Sequence, residues 1–223
     1  MKQIAEDVWQ LRGFPPDAIN VYLIDDVLID ASTRWAGRRI LRQLRGRAVR
    51  AHALTHAHPD HQGASHQVCE TLGIPLWCGE GDVEGMEQPG VMRARQPKHP
   101  INTLYGRIWA GPPHPVARCL REGDDVTAGF TVLETPGHSA GHVAYWRERD
   151  RVLIAGDVFT NMNVDTLLPG LHEPLERFTP DPARNRESMR RLAALEPDLA
   201  CFGHGRPLRD PAKLSAFAAS LPQ

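Results

Sequence analysis

The chain has 223 residues, a formal net charge of −1 and a pI of about 6.8, with 26 Lys+Arg against 27 Asp+Glu. That length supports one well-cored domain, so residues 1–223 are read as a single unit. The near-neutral balance supplies no global field to recruit nucleic acid or an anionic membrane.

At the start, Met1–Gly13 carries Lys2, Glu6, Asp7 and Arg12 with no apolar core region, so no secretory signal is expected there. No apolar run approaches membrane-spanning length. The four cysteines, Cys69, Cys78, Cys119 and Cys201, show no C-x-x-C spacing. Together these features predict reduced thiols and a cytoplasmic location.

Residues 4–11 and 19–30 read as strands, the second broken by a hairpin turn at Asp25-Asp26. Over 36–45 the stripe Ile40, Leu41, Leu44 opposes Arg38, Arg39, Arg42 and Arg45, which predicts an amphipathic helix with a solvated basic face. Arg50–Thr55 forms the next strand. It runs into Thr55-His56-Ala57-His58-Pro59-Asp60-His61, and a helix from about Asp60 to Leu72 follows, ended by Gly73. A short strand is expected around Ile74–Cys78.

The stretch from about 79 to 123 is dense in Gly and Pro and is read as a loop or lid insertion. Within it Pro100, Ile101, Leu104, Tyr105 and Ile108 have helical spacing, placing Tyr105 and Trp109 over a cleft. The alternative is that this apolar stripe packs on the core or on a second copy of the chain, giving a homodimer. Phe130–Glu134, Val143–Trp146, Val152–Ala155 and Leu199–Phe202 read as strands, and Asn161–Thr179 as an irregular loop. Asp181-Pro182 and Asp210-Pro211 each look like an N-cap followed by Pro in the first turn, opening helices to about Leu195 and over 211–221.

The chemistry begins at His56, His58, Asp60 and His61. His56 and His58 are two apart, so on an extended segment they leave the same face, while Asp60 and His61 fall in the first turn of a helix. Mixed imidazole and carboxylate donors suit zinc, iron or manganese rather than calcium or magnesium. Three further apolar runs each end at a ligand-type residue preceded by glycine: Gly137-His138, Gly156-Asp157 and Gly203-His204. Strands pointing the same way at one edge would bring all seven side chains together. Cys201 precedes His204 by three, but its apolar neighbours Leu199, Ala200 and Phe202 make it a buried strand residue. His142 is expected to support the site or the core. His52, His66, His99, His114 and His172 have no assigned role; from the loop after Asp157 His172 could reach the cleft, but a surface position is the expectation.

The order His56-x-His58-x-Asp60-His61, then Thr135-Pro136-Gly137-His138, Gly156-Asp157 and Gly203-His204-Gly205 resembles the metallo-β-lactamase superfamily. The resemblance implies an α+β fold, a four-layer αββα sandwich, with a dinuclear site at one edge. By it, His56, His58 and His138 would hold one ion, Asp60, His61 and His204 the other, and Asp157 would bridge them; Asp60 is also given a catalytic part. The implied cofactors are two divalent ions, zinc first, with iron and manganese also suited. The implied activity is hydrolysis of a small ester, thioester or lactone by a hydroxide shared between the ions, acting on a small-molecule substrate. A mononuclear iron persulfide dioxygenase and a phosphodiesterase or nuclease are the alternatives within the superfamily. Asp157 stands where β-lactam-cleaving members commonly carry Cys, which argues against β-lactams. The T-P-G-H-S-A-G-H block resembles hydroxyacylglutathione hydrolase (glyoxalase II). About twenty residues follow His204, so that enzyme's helical C-terminal domain is not expected.

Overall fold

The computed structural model describes residues 1–88 and 90–222. Among these the first half of the chain builds a seven-stranded sheet in which each strand lies beside its sequence neighbour. Its strands are β1 (Lys2–Ala5), β2 (Val8–Gln10), β3 (Tyr22–Ile24), β4 (Val27–Ile29), β5 (Ala51–Ala53), β6 (Leu76–Gly79) and β7 (Val116–Leu120). The first four form an antiparallel meander, with β3 and β4 joined across Asp25-Asp26 as the sequence predicts. From β4 to β7 the strands are parallel. Their connections carry α1 (Gly37–Gln43), α2 (Pro59–Gln62), α3 (Ser65–Leu72), α4 (Val83–Glu87), α5 (Val91–Arg95) and α6 (Pro100–Ile108).

The second half supplies β8 (Asp125–Thr127), β9 (Phe130–Glu134), β10 (Val143–Arg147) and β11 (Val152–Gly156), then a separate hairpin of β12 (Thr160–Met162) and β13 (Pro169–His172). Helix α7 (Pro182–Ala193), strand β14 (Leu199–Phe202) and helix α8 (Pro211–Ala219) complete it. The second sheet has the order β14-β11-β10-β9-β8. In it β9 and β11 both oppose β10, and β14 is parallel to β11, so β9, β11 and β14 all run the same way.

Alternation along the strands sorts the side chains into layers. Tyr22, Ile24, Val27 and Ile29 of the first sheet meet Val132, Tyr145, Ile154 and Cys201 of the second in a core between the sheets. Leu23 and Leu28 point the other way, onto Ile40 and Val68 of α1 and α3. Leu153 and Ala155 pack on Met189, Leu192 and Leu214 of α7 and α8. Helices thus cover the outer face of each sheet, which gives the αββα order. Each fully buried Val, Leu or Ile contributes roughly 1.5–3 kcal/mol.

Several elements differ from the sequence reading. The strand expected over 4–11 is a hairpin turning at Glu6-Asp7, where Asp7 takes a left-handed φ of 52°. The helix expected over 60–72 is split into α2 and α3. Between them, a Cβ on Gly63 would lie 2.3 Å from the Arg34 backbone nitrogen and 2.4 Å from the Trp109 carbonyl oxygen. That close passage bends the chain. Among its described residues the stretch 79–123 holds a 3-10 helix at Glu80–Asp82, three short α-helices and the edge strand β7, whose half-exposed residues carry little apolar periodicity. Helix α6 begins at Pro100 as predicted, and Asp181 and Asp210 cap α7 and α8 through the backbone nitrogens of Arg184 and Lys213. Among the described residues no helix is long and apolar enough to cross a membrane, and all four cysteines are free.

Candidate metal centre

The C-terminal ends of β5, β9, β11 and β14 meet at one edge of the two sheets. Chain leaving β5 places His56 and His58 there, and α2 adds Asp60 and His61. The turn after β9 brings His138, and β11 and β14 run into Asp157 and His204. Three overlapping groups of potential ligand atoms result, each gathered within 4.8 Å: His56, His58 and His138; His56, His61 and Asp157; Asp60, His61 and His204. Asp157 Oδ2 stands between the first and last, 3.6 Å from His138 Nε2, 3.5 Å from His61 Nε2 and 3.1 Å from His204 Nε2. Asp60 Oδ2 lies 3.3 Å from His204 Nε2. All seven residues singled out in the sequence are therefore in one small volume. Gly203 permits this closeness, since a Cβ there would sit 2.0 Å from Asp157 Oδ1.

Hydrogen bonds behind the imidazoles fix which nitrogen faces inward. The Thr55 hydroxyl donates to Asp30 Oδ2 (2.8 Å), so at 3.0 Å it accepts from His56 Nδ1. The Thr179 hydroxyl donates to the Leu175 carbonyl and accepts from His138 Nδ1 at 3.1 Å. His61 Nδ1 donates to Asp30 Oδ2 at 2.9 Å, and His204 Nδ1 to the Ala18 carbonyl at 2.5 Å. In each case Nδ1 carries the proton and Nε2 is presented to the centre, the arrangement that orients a metal-binding histidine.

The electrostatics divide the site in two. Burial, reinforced by neighbouring imidazoles, pushes His56 and His138 well below the ordinary histidine range, and burial also lowers His58. That direction favours the neutral imidazole, the form that can bind a metal ion. Burial alone would lower His61 and His204 too, but Asp157 and the neighbouring carboxylates outweigh it. They hold His204 at about 10 and His61 well above its usual value. Asp157 is correspondingly pulled well below the carboxylate range by His204 and His61 against its burial.

Whether these residues suit metal ions is tested by their unpartnered atoms. Nε2 of His56, His61 and His138 and Oδ1 of Asp157 are buried without a hydrogen-bond partner. Each such atom costs about 1–3 kcal/mol when left unpaired. Four in one volume, all lone-pair donors of metal-binding type, fit bound cations.

Two buried carboxylates escape the sequence reading. Asp30 accepts from Thr55 N, Thr55 Oγ1 and His61 Nδ1, tying both ends of the His56–His61 segment to β4. Asp82 accepts from Ala57 N, Ser139 Oγ and Gly141 N, joining that segment to the His138 turn. The signal for Asp30 is an acid directly after the apolar run Val27–Ile29; Asp82 has no comparable mark. His142 is no ligand, as expected: Nδ1 donates to Thr135 Oγ1, and Nε2 accepts from Asp157 N at 3.1 Å. His52 is likewise satisfied, by Leu28 O and Ser65 Oγ. Cys201 is buried in the core between the sheets.

The centre opens into a cleft of about 600 Å³. Its walls include Ile19, Tyr105, Trp109, Leu171 and Phe178, with Tyr105 stacked on Trp109 at a centroid distance of 3.8 Å. His172, expected on the surface, is half-buried in this wall because β13 pairs with β12 beside the centre. Among the described residues no lysine or arginine lines the cleft.

Comparison with known proteins agrees with this architecture. The family model described as the metallo-beta-lactamase superfamily matches residues 14–204. The probable metallo-hydrolase YflN of Bacillus subtilis (strain 168) is 29% identical, over 89% of this chain and 84% of its own. A hydroxyacylglutathione hydrolase of Bdellovibrio bacteriovorus is 39% identical over 67% of this chain, which spans only 46% of that protein. The solved structure of TTHA1623 in a di-iron-bound form has a TM-score of 0.66 at 30% identity, covering 92% of this chain and 94% of that one. With the motif residues gathered at the sheet edge and the family model spanning most of the chain, the protein belongs to the metallo-β-lactamase superfamily.

Proposed function

We propose that this metal-dependent hydrolase works with two divalent ions and acts on an uncharged ester, thioester or lactone bearing an apolar arm. The observation that carries the reading is the set of unpartnered Nε2 and carboxylate atoms facing a cleft walled in part by Tyr105, Trp109, Leu171 and Phe178, with no lysine or arginine among its described lining residues. Both halves of the centre are equally complete: His56, His58 and His138 on one side, Asp60, His61 and His204 on the other. That symmetry favours two ions over one, with Asp157 shared between them. Zinc, iron and manganese all suit the donors, and the di-iron form of TTHA1623 keeps iron in view.

Bound ions would supply a water of lowered pKa and polarise the substrate carbonyl. The chain's own residues do the rest. Asp30, Thr55 and Thr179 hold the imidazoles so that Nε2 points inward. Asp60, the partly exposed carboxylate 3.3 Å from His204 Nε2, is the proposed proton acceptor at the mouth of the centre. Tyr105, Trp109 and Phe178 exclude water along one wall and offer a surface for the apolar arm.

Beyond the ions themselves, a phosphodiester would find no lysine or arginine among the described residues of this cleft to pair with its charge. The test is a substrate panel on metal-loaded protein: acyl lactones, acyl thioesters, aryl esters and bis-aryl phosphodiesters, each with short and long arms. The reading predicts turnover of the carboxylic derivatives, with kcat/KM rising as the arm lengthens. Turnover confined to phosphodiesters would refute it.

A further inference from the structure

Away from the centre, three potential metal ligands converge that play no part in it. His66 and Glu70 stand one helical turn apart on α3, and His114 lies in the connection from α6 to β7. His114 Nδ1 is 3.3 Å from His66 Nδ1 and 3.8 Å from Glu70 Oε1. A tetrahedral ion with imidazole bonds of about 2.0–2.1 Å sets its nitrogens about 3.3–3.4 Å apart. The two rings already have that spacing, their planes crossing at 77°.

We infer that His66, Glu70 and His114 form a second, separate divalent-cation site that clips the segment carrying α6 to α3. The donor set, two imidazoles and one carboxylate, suits zinc, with water completing the coordination. His114 is buried and anchored, its backbone N–H donating to Met86 O at 3.0 Å. Glu70 is 65% exposed at its side chain and free to swing the short distance onto an ion. The ion would cross-link α3, which packs on the first sheet, to the chain that leads away from Tyr105 and Trp109. Its role is to brace one wall of the cleft rather than to take part in chemistry.

The experiment compares zinc content per chain in the wild type and the His66→Ala/Glu70→Ala variant, both loaded with zinc and dialysed against metal-free buffer. The site predicts one ion fewer in the variant, and a His56→Ala/His138→Ala variant that still keeps this ion. Equal zinc content in the wild type and the His66→Ala/Glu70→Ala protein overturns it. Glu70→Gln, on the exposed side of α3, guards against misfolding of the double variant. It should weaken zinc at this site tenfold or more in a chelator competition, and unchanged affinity for every bound ion contradicts the assignment. The outcome is independent of whether the centre hydrolyses esters, because the readout is metal content and not turnover.

Discussion

Replacing Asp30 by Asn isolates the step by which the fold orients one ligand. The substitution conserves shape and removes a charge from a buried carboxylate that accepts three hydrogen bonds. If the amide oxygen stays on Thr55 N, the amide NH2 faces the Thr55 hydroxyl and His61 Nδ1. His61 can then keep a bond only by moving its proton to Nε2, the atom that must face the ion. Loss of such an orienting partner weakens metal binding about 10–100-fold, which is roughly 1.4–2.8 kcal/mol. The weakened ion is the one beside Asp60, His61 and His204. The ion beside His56, His58 and His138 should suffer less, because His56 senses Asp30 only through Thr55. Competition against a chromophoric chelator, resolving two dissociation constants, measures both. Without metal the variant should also lose about 1.5–3 kcal/mol of stability from the charged hydrogen bonds. Asp30→Asn protein that binds both ions as tightly as the wild type would refute the orienting role.

Three other outcomes follow from the same geometry. Asp157→Ala should lower the occupancy of both ions and His204→Ala mainly that of one, as read by elemental analysis of refolded, dialysed protein; two tightly held ions in Asp157→Ala would disprove the bridge. Asp82→Ala leaves Ala57 N, Ser139 Oγ and Gly141 N without their acceptor, and should cost about 3–5 kcal/mol in urea unfolding of the metal-free form. Metal loading should release protons. With Asp157 and Asp60 holding His204 at about 10, that imidazole carries a proton at neutral pH in the metal-free protein and must lose it to bind an ion. Affinity beside Asp60 therefore rises with pH until His204 titrates, whereas the lowered basicity of His56, His58 and His138 makes the other half less dependent on pH. Calorimetry in buffers of different ionisation enthalpy measures the protons released, and no release at pH 7 would contradict the pairing.

Much of this centre is legible in sequence because its candidate ligands sit at the ends of apolar runs. His56, His58, Asp60 and His61 are adjacent in the chain, and Gly137, Gly156 and Gly203 mark the turns that deliver the others. What lies behind the ligands is harder to read. Asp30 and Asp82 act through distant partners, Thr55 and His61 for one and Ala57, Ser139 and Gly141 for the other, so no local spacing reveals them. Thr179 is hidden in the same way, 41 positions from His138. In the fold, buried strands and Asp-Pro helix starts announce themselves, since alternation and capping are local properties. The β7 edge strand and the break at Gly63 do not, because one is half-exposed and the other depends on the backbone of residues 33–34 and 109 passing close by. The His66–Glu70–His114 group shows the same limit. Its i, i+4 pair is visible on α3, but its third member arrives from the far side of α6.

The seven side chains are proposed to hold two ions with Asp157 between them. Anomalous X-ray diffraction at a metal absorption edge, on crystals of protein loaded with zinc or iron, tests it most directly. Two peaks about 3.5–4 Å apart are expected at the sheet edge, one against His56, His58 and His138 and one against Asp60, His61 and His204. A single peak there, or none, would contradict it.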